Sequence, residues 1–290
     1  MKIGVSSYSF YALTSTGKMD MFQVIAKAKE MGFDYIEIAG FETPEGETPE
    51  GYAKKLKAEC DRVGIHVGNY TIGADFINCA NGDVDAEIER LKGEVNIAHI
   101  LGATGMRHDA TGGFKAEVKG AKGFDQALPI LVKGCRAVTE YAAKFGIRTM
   151  VENHGFFSQD SERVEKIYNG VNHENFGLLV DIGNFLCADE SPIHAVGRVA
   201  PYAAHVHIKD FHVKPGTEAN PGEGWFCSRG GNYLRGAIIG HGNVPVLQCL
   251  NIIKKSGYDA TMSVEFEGLE DCDLGIKTGL QNLRNYWNML

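Results

Sequence analysis

Short apolar or β-branched runs alternate along this chain with longer stretches whose apolar residues recur every three or four positions. The cycle repeats about eight times in 290 residues. The candidate strands read KIGVSSYSF, YIEIAG, HVGNYTIG, TGMRHDA, RTMVENHG, GLLVDIGNF, AHVHIKDF and TMSVEFEG. Between them lie stretches such as MDMFQVIAKAKEMG, stopped by Gly32, and ALPILVKGCRAVTEYAAKFG, again closed by a glycine. Strands that alternate with helices imply a parallel sheet. Eight such units in a chain of this length fit one closed (β/α)8 barrel better than two open sheets. A doubly wound sheet would carry a Gly-rich phosphate turn after an early strand, and the Gly102-Ala103-Thr104-Gly105 stretch lacks its spacing. The expectation is a single domain over residues 1–290.

One connection is much longer than the rest. After the seventh strand, residues 211–243 are rich in glycine and hold Trp225, Phe226, Arg229 and Tyr233. Long loops inside compact domains are usually functional or disordered, and disordered segments are poor in aromatics. The segment is therefore expected to be a partly ordered, lid-like loop over the active side of the barrel, or a contact in a homo-oligomer.

Functional residues of such a barrel sit at the C-terminal ends of its strands. Four neighbouring strands end in unusually polar residues: Glu152-Asn153-His154, then Asp181, then His205-Val206-His207-Ile208-Lys209-Asp210, then Glu265-Phe266-Glu267. Adjacent strands lie about 4.8 Å apart, so these ends can converge. Side chains alternate along a strand, which puts Glu152 with His154, His205 with His207 and Lys209, and Glu265 with Glu267. Alternation does not fix depth and leaves His205 and His207 open. Buried carboxylates at close range repel unless a cation compensates. Three carboxylates and one imidazole suit a divalent metal: manganese first, with cobalt, zinc or magnesium as alternatives. Taken singly, these residues have plainer readings. A lone strand-end glutamate is more often salt-bridged, His205 can be a hydrogen-bonded core histidine, and Glu37 a buried partner of a backbone or basic group. His108 stands between a substrate contact and a rim residue.

Composition limits the partners. The net charge is −8, with 44% hydrophobic and 23% charged residues and no Lys/Arg run, which argues against a nucleic-acid binder. No apolar stretch approaches a membrane span. The opening MKIGVSSYSFYAL lacks the long apolar core of a signal peptide and is read as mature protein. Seven scattered cysteines with no CxxC pair point to reduced thiols and a cytoplasmic location.

The order of MVENHG, LLVDIGN, AAHVHIKD, IIGHGNVPV and MSVEFEG resembles the xylose-isomerase-like sugar phosphate isomerase/epimerase superfamily of TIM barrel enzymes, over nearly the whole chain. The resemblance implies one metal held by Glu152, Asp181, His207 and Glu265, choosing the second histidine of the His-x-His. It implies that Glu152 and Glu265 also act as the acid/base pair on a small carbohydrate substrate. Two departures stand out. Asn184 occupies a position where many relatives have a histidine, which argues against the related three-metal apurinic-site nuclease. Glu-Asn-His resembles a subgroup that cleaves 3-oxo-C-glycosides by elimination, in which His154 would be the base. Val213-Lys214 also replaces an arginine that the ketose epimerases use.

The leading expectation is a metal-dependent sugar isomerase or epimerase, with proton transfer next to a carbonyl through an enediolate. His108, Asn184, Lys209, Trp225 and Arg229 are the candidate substrate contacts, and His154 an alternative base. The competing expectations are a lyase or dehydratase on a keto sugar, inosose or 3-oxo-glycoside, and a non-catalytic sugar-binding barrel.

Overall fold

A computed structural model describes residues 1–290. Its strands are β1 (Ile3–Ser6), β2 (Tyr35–Ala39), β3 (His66–Ile72), β4 (Gly105–His108), β5 (Arg148–Glu152), β6 (Phe176–Asp181), β7 (Ala203–Ile208), β8 (Asp210–Lys214), β9 (Phe226–Cys227), β10 (Tyr233–Ala237) and β11 (Met262–Val264). The closed barrel runs β1-β11-β7-β6-β5-β4-β3-β2, with every pairing parallel. This is the (β/α)8 barrel expected from the alternation. The helices between strands carry well-formed ends. Asp20 and Gln23 form a reciprocal capping box at the start of Met21–Glu30, and Gly64 closes Pro49–Val63 in the left-handed region. No helix is long and apolar enough to cross a membrane.

Alternation along the strands divides the side chains. Ile36, Met106, Val151, Val180, Val206 and Val264 turn outward and join the surrounding helices in the main hydrophobic core. Glu37, Arg107, Glu152, Asp181 and His207 turn into the barrel. Two register shifts tune this inner face. On the β6–β7 ladder Leu178 pairs with Ala203 but Leu179 with His205, so Asp181 comes opposite His207. On β2–β3, Ile36 pairs with Val67 but Glu37 with Asn69.

The barrel floor is filled by Tyr35, fully buried, whose hydroxyl meets Ser263 Oγ at 3.1 Å. Its ring lies where a Cβ on Gly4 or Gly68 would stand, so the flanking strands must lack side chains there.

The segment after β7, expected as a partly ordered, lid-like loop, contains strands of its own. After Lys209 the chain passes straight into β8, and β8, β10 and β9 form a three-stranded antiparallel sheet in that order. Its own small core of Cys187, Phe211 and Leu234 stabilises it. Two carboxylates fasten it. Asp210 accepts from the amides of Phe211 (2.8 Å), Gly240 (2.9 Å), Gly242 (2.9 Å) and Val244 (3.0 Å). Asp189 accepts from Ser228 Oγ at 2.6 Å, from Asn232 Nδ2 at 2.8 Å and from the Gly230 amide.

The floor packing gives a stability prediction. Gly68→Ala drives a methyl into the Tyr35 ring and should destabilise the protein by about 1–3 kcal/mol, the usual cost of overpacking. Urea denaturation should register this as a lowered midpoint; an unchanged midpoint would mean that the ring has room to move.

Candidate metal centre

The ends of β5, β6, β7 and β11 bring Glu152, Asp181, His207 and Glu265 together. One ligand atom from each lies within 4.8 Å of the others, and all four residues are buried. His207 Nδ1 stands 3.6 Å from Glu265 Oε1, 3.9 Å from Glu152 Oε1 and 4.0 Å from Asp181 Oδ2. These separations are too long for hydrogen bonds. His207 Nδ1 and Asp181 Oδ2 are both buried without a hydrogen-bond partner. Two orphaned buried polar atoms facing one point need a common explanation, and a cation between them supplies one.

Each donor is held from behind. His207 Nε2 donates to Glu37 Oε1 at 2.8 Å, which leaves Nδ1 as the nitrogen that faces the cluster. Glu37 is fully buried and also accepts from Asn69 Nδ2 at 3.3 Å, its partner across the β2–β3 shift. The Asp181 Oδ1 atom accepts from the amides of Gly183 (2.7 Å) and Asn184 (3.0 Å), which aims Oδ2 at the cluster. Asn153 clamps the Asp181 backbone from both sides, at 2.8 and 2.9 Å. Glu152 Oε2 meets Arg107 Nη2 at 2.5 Å, and its Oε1 accepts from Asn184 Nδ2 at 2.9 Å. Lys209 Nζ lies 2.6 Å from Glu265 Oε2, 3.5 Å from Asp181 Oδ2 and 3.6 Å from Glu267 Oε2.

The electrostatics follow from burial. Burial pushes Asp181 up to about 6, with Lys209 pulling it down and Glu152 and Glu265 pushing it further up. Glu265 moves the other way: burial opposes it, yet Lys209 and His207 hold it well below the usual carboxylate range. Three carboxylates thus share a space where Arg107 and Lys209 are the neighbouring permanent cations. A divalent ion bound by oxygen and imidazole donors fits what remains.

His205 sits one layer deeper than His207. Its Nε2 meets Ser263 Oγ at 3.0 Å and its Nδ1 meets Thr261 Oγ1 at 3.2 Å. Burial lowers it to about 4, a neutral imidazole with both nitrogens engaged.

The other sequence candidates divide. His154, Asn184 and Lys209 line the cleft above the cluster. His154 Nδ1 pairs with Asp109 Oδ1 at 2.9 Å, and Asp109 is itself bound by Arg107 at 2.9 Å. His108 is corrected: it turns outward, fully buried, with its ring edge-on to Phe76 at 5.8 Å. Arg107 is the residue of that strand end that enters the barrel, because the inward phase of β4 runs through Gly105, Arg107 and Asp109. Trp225 and Arg229 are placed beside the cleft, on the antiparallel sheet. Neither lines the cleft; each secures the antiparallel sheet. Trp225 lies 5.6 Å from the Arg235 guanidinium. Arg229 pairs with Asp160 at 2.9 Å and donates to the Phe156 carbonyl at 3.1 Å.

Sequence reasoning passed over Arg107 and Asp109 as site residues. Counting the phase of β4 from the apolar Met106 would have found them. Glu37 was read only as a buried partner; its tie to a cluster histidine depends on packing across the barrel.

The fold and this cluster define a (β/α)8 barrel with a carboxylate–imidazole centre at the C-terminal mouth of its strands. The chain belongs to the xylose isomerase-like TIM barrel family, whose model matches residues 25–286. Among curated protein sequences the chain finds no match. Several solved structures share the fold. An L-ribulose 3-epimerase has a TM-score of 0.75 at 15% identity, covering 100% of this chain and 95% of its own. A probable 3-DHS dehydratase, AsbF of Bacillus anthracis, has a TM-score of 0.71 at 19% identity, covering 98% and 99%. The IOLI protein, with a bound zinc atom, has a TM-score of 0.72 at 17% identity, covering 99% and 98%.

Glu37 carries a prediction. Glu37→Gln can no longer offer a charged acceptor to His207, and divalent-metal affinity should fall about 10- to 100-fold, as for other partners behind metal-ligating histidines. Competition with a metal-sensitive dye measures this; unaltered affinity would show that Glu37 does not tune the histidine.

Proposed function

We propose that this chain is a divalent-metal-dependent isomerase or epimerase of sugars that moves a proton next to a carbonyl through an enediolate. The observation that carries the reading is the pair of unpartnered buried atoms, His207 Nδ1 and Asp181 Oδ2, flanked by Glu152 and Glu265 beneath an open cleft. Glu152, Asp181, His207 and Glu265 would hold the metal, with manganese suited to this mainly oxygen donor set and zinc, cobalt or magnesium as alternatives. Bound there, it supplies a Lewis acid to substrate oxygens, worth several kcal/mol of barrier.

The protein's own groups divide the remaining work. Glu152 and Glu265 flank the cleft floor, one to take a proton from carbon and the other to return it. Arg107 and Asn184 fix both oxygens of Glu152, so its orientation costs little to maintain during transfer. Lys209 holds Glu265 ionised and can steady charge that develops on a substrate oxygen. The fold shared with an L-ribulose 3-epimerase agrees with this assignment.

A second reading has a specific observation in its favour. His154, oriented by Asp109, borders both parts of the cleft and offers a base away from the glutamates. That arrangement suits a lyase or dehydratase on a keto sugar, inosose or 3-oxo-glycoside, in which proton removal is followed by loss of a leaving group. The fold is equally shared with a probable dehydratase.

Manganese-loaded protein incubated with ketoses in deuterated water tests the assignment. Deuterium should enter next to the carbonyl in sugar recovered intact; loss of water from the ketose would replace the first reading by the second. Glu265→Gln should lower exchange by roughly 10²-fold or more, the scale of a lost acid–base group. His154→Gln should keep its metal and exchange within about ten-fold of the parent, because in this reading it is not the base. A larger loss at unchanged metal content would hand the proton transfer to His154.

A further inference from the structure

Lys209 is the only lysine that lines the cleft, and it is 4% exposed. Three carboxylates surround its Nζ: Glu265 at 2.6 Å, Asp181 at 3.5 Å and Glu267 at 3.6 Å. One ammonium serves all three. Glu265 and Asp181 belong to the cluster assigned to the metal; Glu267 does not.

Glu267 stands apart from the other carboxylates of the mouth. Glu152 has Arg107 and Asn184 as partners, and Asp109 has Arg107 and His154. Glu94 accepts from the Tyr70 hydroxyl at 2.9 Å. Glu267 has only Lys209, across 3.6 Å, although its side chain is just 24% exposed. A largely buried carboxylate without a close partner is costly, so its place needs a reason.

The surroundings supply one. Asn184 Oδ1 lies 3.4 Å from Lys209 Nζ, and the Phe211 ring centroid lies 5.8 Å from it. Both favour an ammonium. Asn184, Phe211 and Glu267 line the same part of the cleft, on the side of the antiparallel sheet. Together they form a second seat for Lys209 beside the one on Glu265. Both seats lie within reach of one Nζ, so rotation of the flexible lysine stem suffices to exchange them.

A divalent ion decides which seat is favoured. Held by Glu265 and Asp181, it compensates both carboxylates and repels the ammonium next to them. Glu267 is then the one carboxylate around Lys209 that the ion does not serve.

We propose that Lys209 is the internal counter-ion of the metal centre: it rests on Glu265 and Asp181 in the metal-free protein and moves onto Glu267 as the ion binds. The proposal rests on the metal reading given above. Glu267 is then a positioning residue. It draws the ammonium off the metal's own ligands and holds it at the cleft wall.

Competition with a metal-sensitive dye and thermal melting of chelated protein test this on Lys209→Met, Glu267→Gln and the double variant. Lys209→Met should bind manganese at least about ten-fold more tightly than the parent, because a like charge is gone. Its chelated form should melt lower by roughly 5 °C or more, a loss that manganese restores. Glu267→Gln should weaken manganese binding about ten-fold in the parent background but less than about three-fold beside Lys209→Met, since the lysine that needs the seat is absent. Weaker binding by Lys209→Met would overturn the counter-ion and make Lys209 a residue that orients Glu265. Unaltered affinity in Glu267→Gln, or an equal fall in both backgrounds, would overturn the second seat. If Lys209→Met does not fold, Glu267→Gln at its partly exposed position decides alone, between a ten-fold fall and none. A parent that binds no divalent metal would overturn the metal reading, and the counter-ion with it.

Discussion

Three carboxylates buried within 4.8 Å of one another repel, and much of the upper half of this barrel is arranged around that repulsion. Arg107 reaches in from β4, Lys209 from the end of β7, and Glu37 from β2 polarises the one imidazole in the group. Each of these in turn needs a partner. Arg107 engages Asp109, Asp109 engages His154, and Glu37 engages Asn69. The result is a connected polar network that spans the mouth from β2 to β11. Two of its atoms, His207 Nδ1 and Asp181 Oδ2, are left open toward the centre. A network of this kind is costly to disturb at any one member, because a removed partner leaves its neighbour buried and uncompensated.

The architecture was legible because the two periodicities, about 2 and about 3.6, leave separate imprints on sequence. Strand ends rich in Glu, Asp and His then located the upper face. What sequence could not resolve was register. The offset between Leu178 and Leu179 brings Asp181 opposite His207, and nothing in GLLVDIGNF announces it. The same blindness explains His108. Histidine is the more suggestive residue of Arg107-His108, yet the phase of β4 sends Arg107 inward and His108 against Phe76. The depth of His205 relative to His207 is likewise a property of the stacked layers, fixed by Ser263 and Thr261.

The segment after β7 was legible as important and illegible as structure. Its glycines and short strands hide the alternation that would mark β8 and β10. Its order comes from carboxylates that cap bare amides, above all Asp210, and from a hydrophobic cluster of three residues. Trp225 and Arg229 drew attention as aromatic and cationic side chains of the kind that bind sugars. They hold the sheet instead, and through it position Phe226 over the cleft.

The antiparallel sheet is pinned near its base by Asp210 and along one edge by Asp189, while residues 214–224 between β8 and β9 are exposed throughout. Anchoring and tip are therefore separable. Lengthening a surface loop changes its closure entropy only slowly, so this tip can grow, shrink or be exchanged with little effect on the barrel. The fold carries a graftable cassette beside its reactive centre. Lineages of the barrel could diversify there while the carboxylate cluster below stayed fixed.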